Sequence, residues 1–286
     1  MIKRLFFVLL ACVMCLFLSC SKDKSPFTDS PVGTPPETPV SPGQGGTNNH
    51  IYADSLFFVQ EAANIIKPLS AEAGTYSSTP EGLKIEDATG EINVNKSETG
   101  LMYKVTFTPA KVGGNTLTSY VIISGINYQD KIYNLSAGDS IATPIYNANT
   151  KLVLPGTGKN NIFDEDGSCK KVGISINGDD ARINLAKSVR NQGIDTGATA
   201  EVKLAYRLND GSNRALNGLN VKIYFYRTAK EIPQYLTDLL EERKTTIFSQ
   251  NLIQSSGISG SLVLAGLSVQ RLATRARPPC IIVVSR

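Results

Sequence analysis

Phe163-Asp164-Glu165-Asp166-Gly167-Ser168 is the stretch of this sequence richest in oxygen donors. Asp164, Asp166 and Ser168 alternate along the chain beside a glycine, a spacing that offers several oxygens to one hard cation such as Ca²⁺. The loop departs from the helix–loop–helix calcium pattern. Its glycine comes early, and Lys170 and Lys171 follow and oppose a cation. Asp164, Asp166 and Ser168 are thus a calcium candidate, and the competing expectation is an acidic turn between two domains.

Other chemistry is scarce. The chain has a single histidine, His50, which excludes multi-histidine metal centres and removes the imidazole that Ser-His-Asp or Cys-His catalysis needs. Acidic residues are plentiful, but no local pattern selects the pair that glycoside hydrolysis requires. Pro155-Gly156-Thr157-Gly158-Lys159 lacks the spacing of a phosphate loop, and Asn160 stands where Ser or Thr is needed. The formal charge of +4 leaves no electrostatic footprint for nucleic acid. These residues predict a protein that is not an enzyme.

Three further groups invite a role. Cys169 and Cys280 are the cysteines beyond the N-terminal segment, and they are either a disulfide or two buried thiols. Tyr224 and Tyr226 share one face of an alternating run. Exposed, they would make an aromatic strip for a glycan or partner protein; buried, they belong to a core. Arg271, Arg275 and Arg277 form a small basic cluster, expected at the surface.

The elements that must carry these residues are mostly strands. Leu101, Tyr103, Val105 and Phe107 alternate with Met102, Lys104, Thr106 and Thr108, the pattern of a half-buried strand. Shorter runs at 51–59, 91–94, 117–124, 141–146 and 151–154 are separated by Gly- and Pro-containing turns, as in an antiparallel sandwich. In the second half, 172–176 and 181–185 flank an Asn-Gly turn. The runs 201–208 and 219–226 alternate as a pair, and 281–284 reads as a terminal buried strand. Ile232, Tyr235, Leu236, Leu239, Leu240, Arg243 and Ile247 recur at helical spacing and predict one amphipathic helix near 231–247, with Pro233 in its first turn. The fold class is mostly β: a sandwich over 51–155, then a β-rich α+β domain over 160–286.

Pro80-Glu81-Gly82-Leu83-x-Ile85, Thr89-Gly90-Glu91-Ile92 and Gly100-x-x-Tyr103-x-Val105-x-Phe107 together resemble the Ig-like, cadherin-like domains of bacterial surface proteins. The resemblance covers about 30 residues of core pattern. It implies an Ig-like sandwich used for spacing, display or adhesion, and it carries no catalytic group. The second half resembles no family.

Lys3 and Arg4 precede an unbroken apolar run, Leu5 to Leu18, followed by Ser19 and Cys20. The run falls short of the ~20 residues that cross a bilayer and has the layout of a secretory signal. Leu16-Phe17-Leu18-Ser19-Cys20 resembles a bacterial lipobox, which implies a signal peptide over 1–19 and diacylglyceryl modification of the Cys20 thiol. Residues 20–50 hold six of the fourteen prolines, with Gly, Ser and Thr, and read as an extended tether. The low-complexity tail after the cysteine is similar to that of outer-membrane lipoproteins of the Bacteroidetes group. The expectation is a lipid-anchored outer-membrane protein, on either face, whose partners are the bilayer and an unidentified protein or glycan. The alternatives are a glycan-binding accessory lipoprotein and a surface or periplasmic hydrolase.

Overall fold

The computed structural model describes residues 50–156, 160–192, 197–244 and 277–286. The segments expected to be a signal peptide and a tether, up to residue 49 and with Cys20 between them, lie outside these residues, as do Ile247, Arg271 and Arg275. Among the described residues no helix is long and apolar enough to cross a membrane.

The first half is a two-layered β-sandwich. Its larger sheet joins β1 (Leu56–Phe57), β3 (Gly74–Thr79), β5 (Leu101–Pro109) and β6 (Leu117–Ile123) in the order β1-β6-β5-β3. The second layer pairs β2 (Ile65–Ile66) with β4 (Ile92–Asn93). The alternation of β5 follows the expected pleat: Leu101, Tyr103, Val105 and Phe107 are buried. They meet Leu83, Ile85, Ile92 and Val94 from the other layer in one core.

The second half begins earlier than expected. Residues 126–154 do not extend the first sandwich, whose core closes at Ile123 apart from Ala215 contributed by the second half. Instead β7 (Ile126–Tyr128) pairs with β10 (Pro144–Tyr146), and β9 (Ile141–Ala142) pairs with β12 (Ile183–Asn184). The large sheet runs β11 (Ile162–Phe163), β13 (Ala198–Arg207), β14 (Asn217–Tyr226), β15 (Cys280–Val284), β8 (Lys131–Asn134). No strand forms over 151–154, and 172–176 contributes a single bridge, Ile176 to Ile183. Among the described residues three α-helices flank the strands: α1 (Ser168–Lys171), α2 (Leu185–Gln192) and α3 (Gln234–Lys244). The helix expected over 231–247 is α3, preceded by a 3₁₀ turn over Ala229–Glu231. Pro233 stands immediately before it. Arg227 N–H donates to the Glu231 carboxylate and ties down this entry.

The two halves are copies of one module. Tyr52-x-Asp54-x-Leu56-Phe57 returns as Tyr128-x-Asp130-x-Ile132-Tyr133, and Ile92-Asn93-Val94-x-Lys96-Ser97 returns as Ile183-Asn184-Leu185-x-Lys187-Ser188. The bonding repeats too. The Tyr52 hydroxyl donates to Gly90 O at 2.7 Å, and that of Tyr128 to Ala181 O at 2.6 Å. Ser97 Oγ accepts from Lys84 N–H at 2.9 Å and donates to Asn93 O at 2.8 Å; Ser188 Oγ accepts from Ser175 N–H at 2.9 Å and donates to Asn184 O at 2.8 Å. Gly90 and Ala181 both hold positive φ, 71° and 56°. A Cβ at Gly90 would lie 2.6–2.7 Å from Tyr76 and Pro68, so glycine is needed there.

Two of the differences between the copies bear on the seam. The 3₁₀ turn Val94–Lys96 of the first module lengthens into α2, capped by the Asn184 side chain, which accepts Lys187 N–H at 2.8 Å. More consequentially, β1 pairs directly and in parallel with β6 in the first module, whereas β15 stands between the equivalent strands β8 and β14, parallel to both. All five β15 residues are buried. Ile281 and Val283 enter the sandwich core, while Cys280, Ile282 and Val284 face α3 with Leu236 and Leu240. Each buried aliphatic side chain contributes about 1.5–3 kcal/mol, which makes this short strand a principal source of cohesion.

Candidate functional site

The modules meet at a seam of buried polar contacts. Tyr206 reaches across from β13: its hydroxyl lies 2.6 Å from Thr99 Oγ1 and accepts Ile126 N–H at 3.2 Å. Gly125 turns the chain between modules at φ 142°, and a Cβ there would lie 2.4 Å from the Tyr206 hydroxyl. Its N–H donates to the Asn147 side chain at 3.0 Å. Asp210 accepts from the Ser124 hydroxyl at 3.1 Å and the Tyr146 hydroxyl at 2.9 Å. These bonds bind the two copies without a long linker.

Beside this seam lies a cluster of four charged groups. The Asp130 carboxylate takes Arg243 Nη1 at 2.9 Å and Arg277 Nη2 at 3.1 Å; the Asp130 and Arg277 side chains are both 5% exposed, and that of Arg243 is 12% exposed. Asp130 also accepts Cys280 N–H, the first donor of β15. Glu98 of the first module accepts Arg277 N–H at 2.7 Å and Asn127 Nδ2 at 3.2 Å. Burial pushes the Glu98 carboxyl up to about 7, against the Arg277 and Asn127 donors and the two guanidinium charges, which pull it down. Burial likewise lowers Arg277, and Asp130 opposes that shift. The cluster therefore ties the inter-module seam, the end of α3 and the start of β15 together.

Arg277 was expected in a surface cluster and is instead 4% exposed. Glu98, Asp130 and Arg243 carry no sequence signature of a site. The available signal is the repeat itself: Asp54, the counterpart of Asp130, caps Ser55 N–H at the surface, so the same residue acquires a buried role where β15 is added.

The sequence candidates are dispersed by the fold. Asp164, Asp166 and Ser168 do not form a calcium loop. The Asp164 carboxylate accepts Cys169 N–H at 2.8 Å and Lys170 N–H at 3.3 Å, and Asp166 accepts the Ser168 N–H and hydroxyl at 3.1 and 2.5 Å. These oxygens start α1, and the Ser168 bonds hold Asp166 below the usual carboxylate range. Among the described residues no cluster of His, Cys, Asp and Glu could hold a metal. Cys169 and Cys280 are free, so the disulfide is not formed. They lie on opposite sides of the large sheet, Cys169 in the sandwich core and Cys280 beneath α3. Burial raises both thiols, Cys280 to about 11. Tyr224 and Tyr226 do share a face, but α3 covers it: Tyr226 is 5% exposed and Tyr224 is half-buried, with Lys222 Nζ 5.5 Å from its ring. They are packing residues and not an exposed aromatic strip.

A groove of about 380 Å³ runs along the seam, with Asn95, Ser97 and Thr99 on one side and Asp166, Lys203 and Asn217 on the other. Glu98 and Asp130 do not line it.

No family model matches this chain, and no curated protein matches it. Among solved structures, N-cadherin EC1-4 of Drosophila is similar over 60% of this chain and 48% of that one, about half its length, with 11% identity and a TM-score of 0.18. At that score the likeness carries no argument. The class of the protein rests on its own fold: a mostly β chain built from tandem β-sandwich modules.

Proposed function

We propose that this is a membrane-anchored lipoprotein of the bacterial cell envelope, held by acyl chains on Cys20, with a non-enzymatic role in display, adhesion or structural support. The observation that supports this reading is the tandem duplication. Repeating a sandwich and fixing the joint through Tyr206, Asn147 and the Arg277 cluster extends the body and presents more surface. The Glu98 carboxyl, raised by burial, is committed to that joint through Arg277 N–H and Asn127. The apolar run before Cys20 and the Pro-rich stretch after it supply an anchor and a spacer. Surface proteolysis of tagged protein on intact cells tests the display reading. Wild type is cleaved if it faces outward; protection of wild type on intact cells, with cleavage after permeabilisation, places it in the periplasm and removes adhesion.

The seam groove favours a second reading, a glycan-binding accessory lipoprotein. Asn217 Oδ1 is buried without a hydrogen-bond partner among the described residues, on the groove wall with Lys203 and Asp166, and hydroxyl-rich ligands supply donors and acceptors to such groups. A glycan array with wild type and Asn217→Ala tests it: binding lost in the variant supports the groove, and an empty array for both removes it.

A further inference from the structure

The turn between Ile176 and Ile183 is one that the first module builds from different residues. In both copies eight residues run from one isoleucine to the next, and Ile85 bridges Ile92 as Ile176 bridges Ile183. The backbone bonds coincide. Glu86 N–H donates to Glu91 O and Gly90 N–H to Glu86 O; Asn177 N–H donates to Arg182 O and Ala181 N–H to Asn177 O. Asp87 O accepts Tyr76 N–H at 2.8 Å, and Gly178 O accepts Phe163 N–H at 3.0 Å. Glu86-Asp87 thus makes the same turn as Asn177-Gly178, and the backbone gives no reason for a glycine at 178. Gly178 holds no positive φ, and a Cβ there would meet only Phe163 O, at 3.7 Å. We propose that Asn177-Gly178 is a covalent modification site, at which Gly178 N attacks Asn177 Cγ and the asparagine is converted to aspartate and isoaspartate.

The step needs only water. The Gly178 amide nitrogen gives up its proton and bonds to Asn177 Cγ; the Cγ–Nδ2 bond breaks, and Nδ2 leaves with that proton as ammonia. Water then opens the cyclic imide at either carbonyl, giving an aspartyl or an isoaspartyl linkage. The turn suits each part. Asn177 and Gly178 are both exposed, and the missing Cβ at Gly178 leaves the approach of its nitrogen clear. Asn177 Oδ1 accepts Asp179 N–H at 2.8 Å, a donor placed on the oxygen that gathers charge when Cγ is attacked. The sequence supplies its own comparison, because Asn217-Gly218 is the other Asn-Gly pair. Asn217 is buried, and both residues sit in β14 opposite Tyr206 and Ala205, so attack there requires the ladder to open. Gly218 also has a packing role that Gly178 lacks: a Cβ would lie 2.3 Å from Lys203 Cε. Conversion at 177 adds negative charge beside Asp179 and Asp180. The isoaspartyl form also lengthens the main chain within the turn whose Ala181 O holds the buried Tyr128 hydroxyl. Neither the anchor nor the display reading bears on this chemistry.

The test incubates folded full-length protein in detergent at mildly alkaline pH and then digests it with trypsin, with unincubated protein as the baseline. Cleavage after Lys171, Arg182, Arg214 and Lys222 places Asn177 on peptide 172–182 and Asn217 on peptide 215–222. Mass spectrometry reads conversion as a gain of about one mass unit, divided between two products that separate on the column. Conversion at Asn177 is expected to exceed that at Asn217 by roughly tenfold or more, because only the second site must wait for the sheet to open. Gly178→Ala is expected to keep the wild-type urea midpoint, as Asp87 in the first module implies, and to slow conversion at Asn177. A wild type in which Asn177 stays intact or converts no faster than Asn217 overturns the proposal, and so does a folded Gly178→Ala protein that converts at the wild-type rate. Should the variant not fold, the comparison of the two sites in wild type decides alone.

Discussion

The guanidinium of Arg277 meets the carboxylate of Asp130 at 3.1 Å, and both side chains are 5% exposed. The ion pair links the residue that opens the second copy's first large-sheet strand to the segment that delivers its last. Removing one member strands the other in a poorly solvated place. Asp130→Ala is therefore expected to cost about 3–5 kcal/mol, read as a lower urea midpoint. Asp54→Ala, its counterpart in the first module, removes an exposed cap and is expected to cost about 1 kcal/mol or less. Equal losses would contradict the role assigned to the buried pair.

Glu98 makes the junction pH-dependent in a stated direction. Its carboxyl rises from 4.5 to about 7 on folding. The folded state then holds the proton more tightly than the unfolded one. The contribution is fully present below about 4.5 and is lost as pH rises through about 7. Its size is on the order of 2 kcal/mol once the residue's partial exposure is allowed for. Unfolding midpoints measured from pH 4.5 to 8 are expected to fall across that window, and Glu98→Gln is expected to flatten this part of the profile. An unchanged profile in the variant would assign the dependence elsewhere.

Tyr206 is the cross-piece of the seam. Tyr206→Phe keeps the ring beside Phe163, with which it stacks at 5.8 Å, and removes only the hydroxyl. Ile126 N–H and Thr99 Oγ1 lose a buried partner, a cost of about 1–3 kcal/mol. Calorimetry is expected to show a lower transition temperature and a transition that broadens as the modules uncouple. A sharp, unshifted transition would mean that the seam is held by other contacts.

The two cysteines separate the observed arrangement from a bridged one. Because Cys169 and Cys280 are free thiols on opposite sides of the sheet, reductant is expected to leave the urea midpoint unchanged. A native bridge would lose roughly 2–4 kcal/mol under the same treatment. Both thiols are expected to resist labelling in the folded protein and to react on unfolding, since burial raises them.

The sheet was legible wherever one face is dry and the other wet. The alternation in 101–108 and 219–226 marks β5 and β14 because their neighbours leave one side partly solvated. Strand β3, Gly74–Thr79, has one buried residue, Tyr76, and so leaves almost no apolar period to read. Helix α2 was hidden for a different reason. Ile183-Asn184-Leu185 reads as strand, and only the Asn184 cap turns the chain into a helix. The duplication was present as Tyr-x-Asp and as Ile-Asn-[Val/Leu]-x-Lys-Ser, but unequal insertions between the two blocks shift their spacing. The charged cluster was not legible, because Glu98, Asp130, Arg243 and Arg277 are distant in sequence and are gathered by the insertion of β15. Asp164 and Asp166 showed the converse: oxygen-rich spacing that the fold spends on starting a helix.

The central functional claim is attachment through Cys20, and metabolic labelling with a tagged fatty acid tests it most directly. Wild type is expected to incorporate the label and to partition into the membrane fraction, and Cys20→Ala is expected to do neither. A Cys20→Ala protein that is still labelled and membrane-bound would contradict the account.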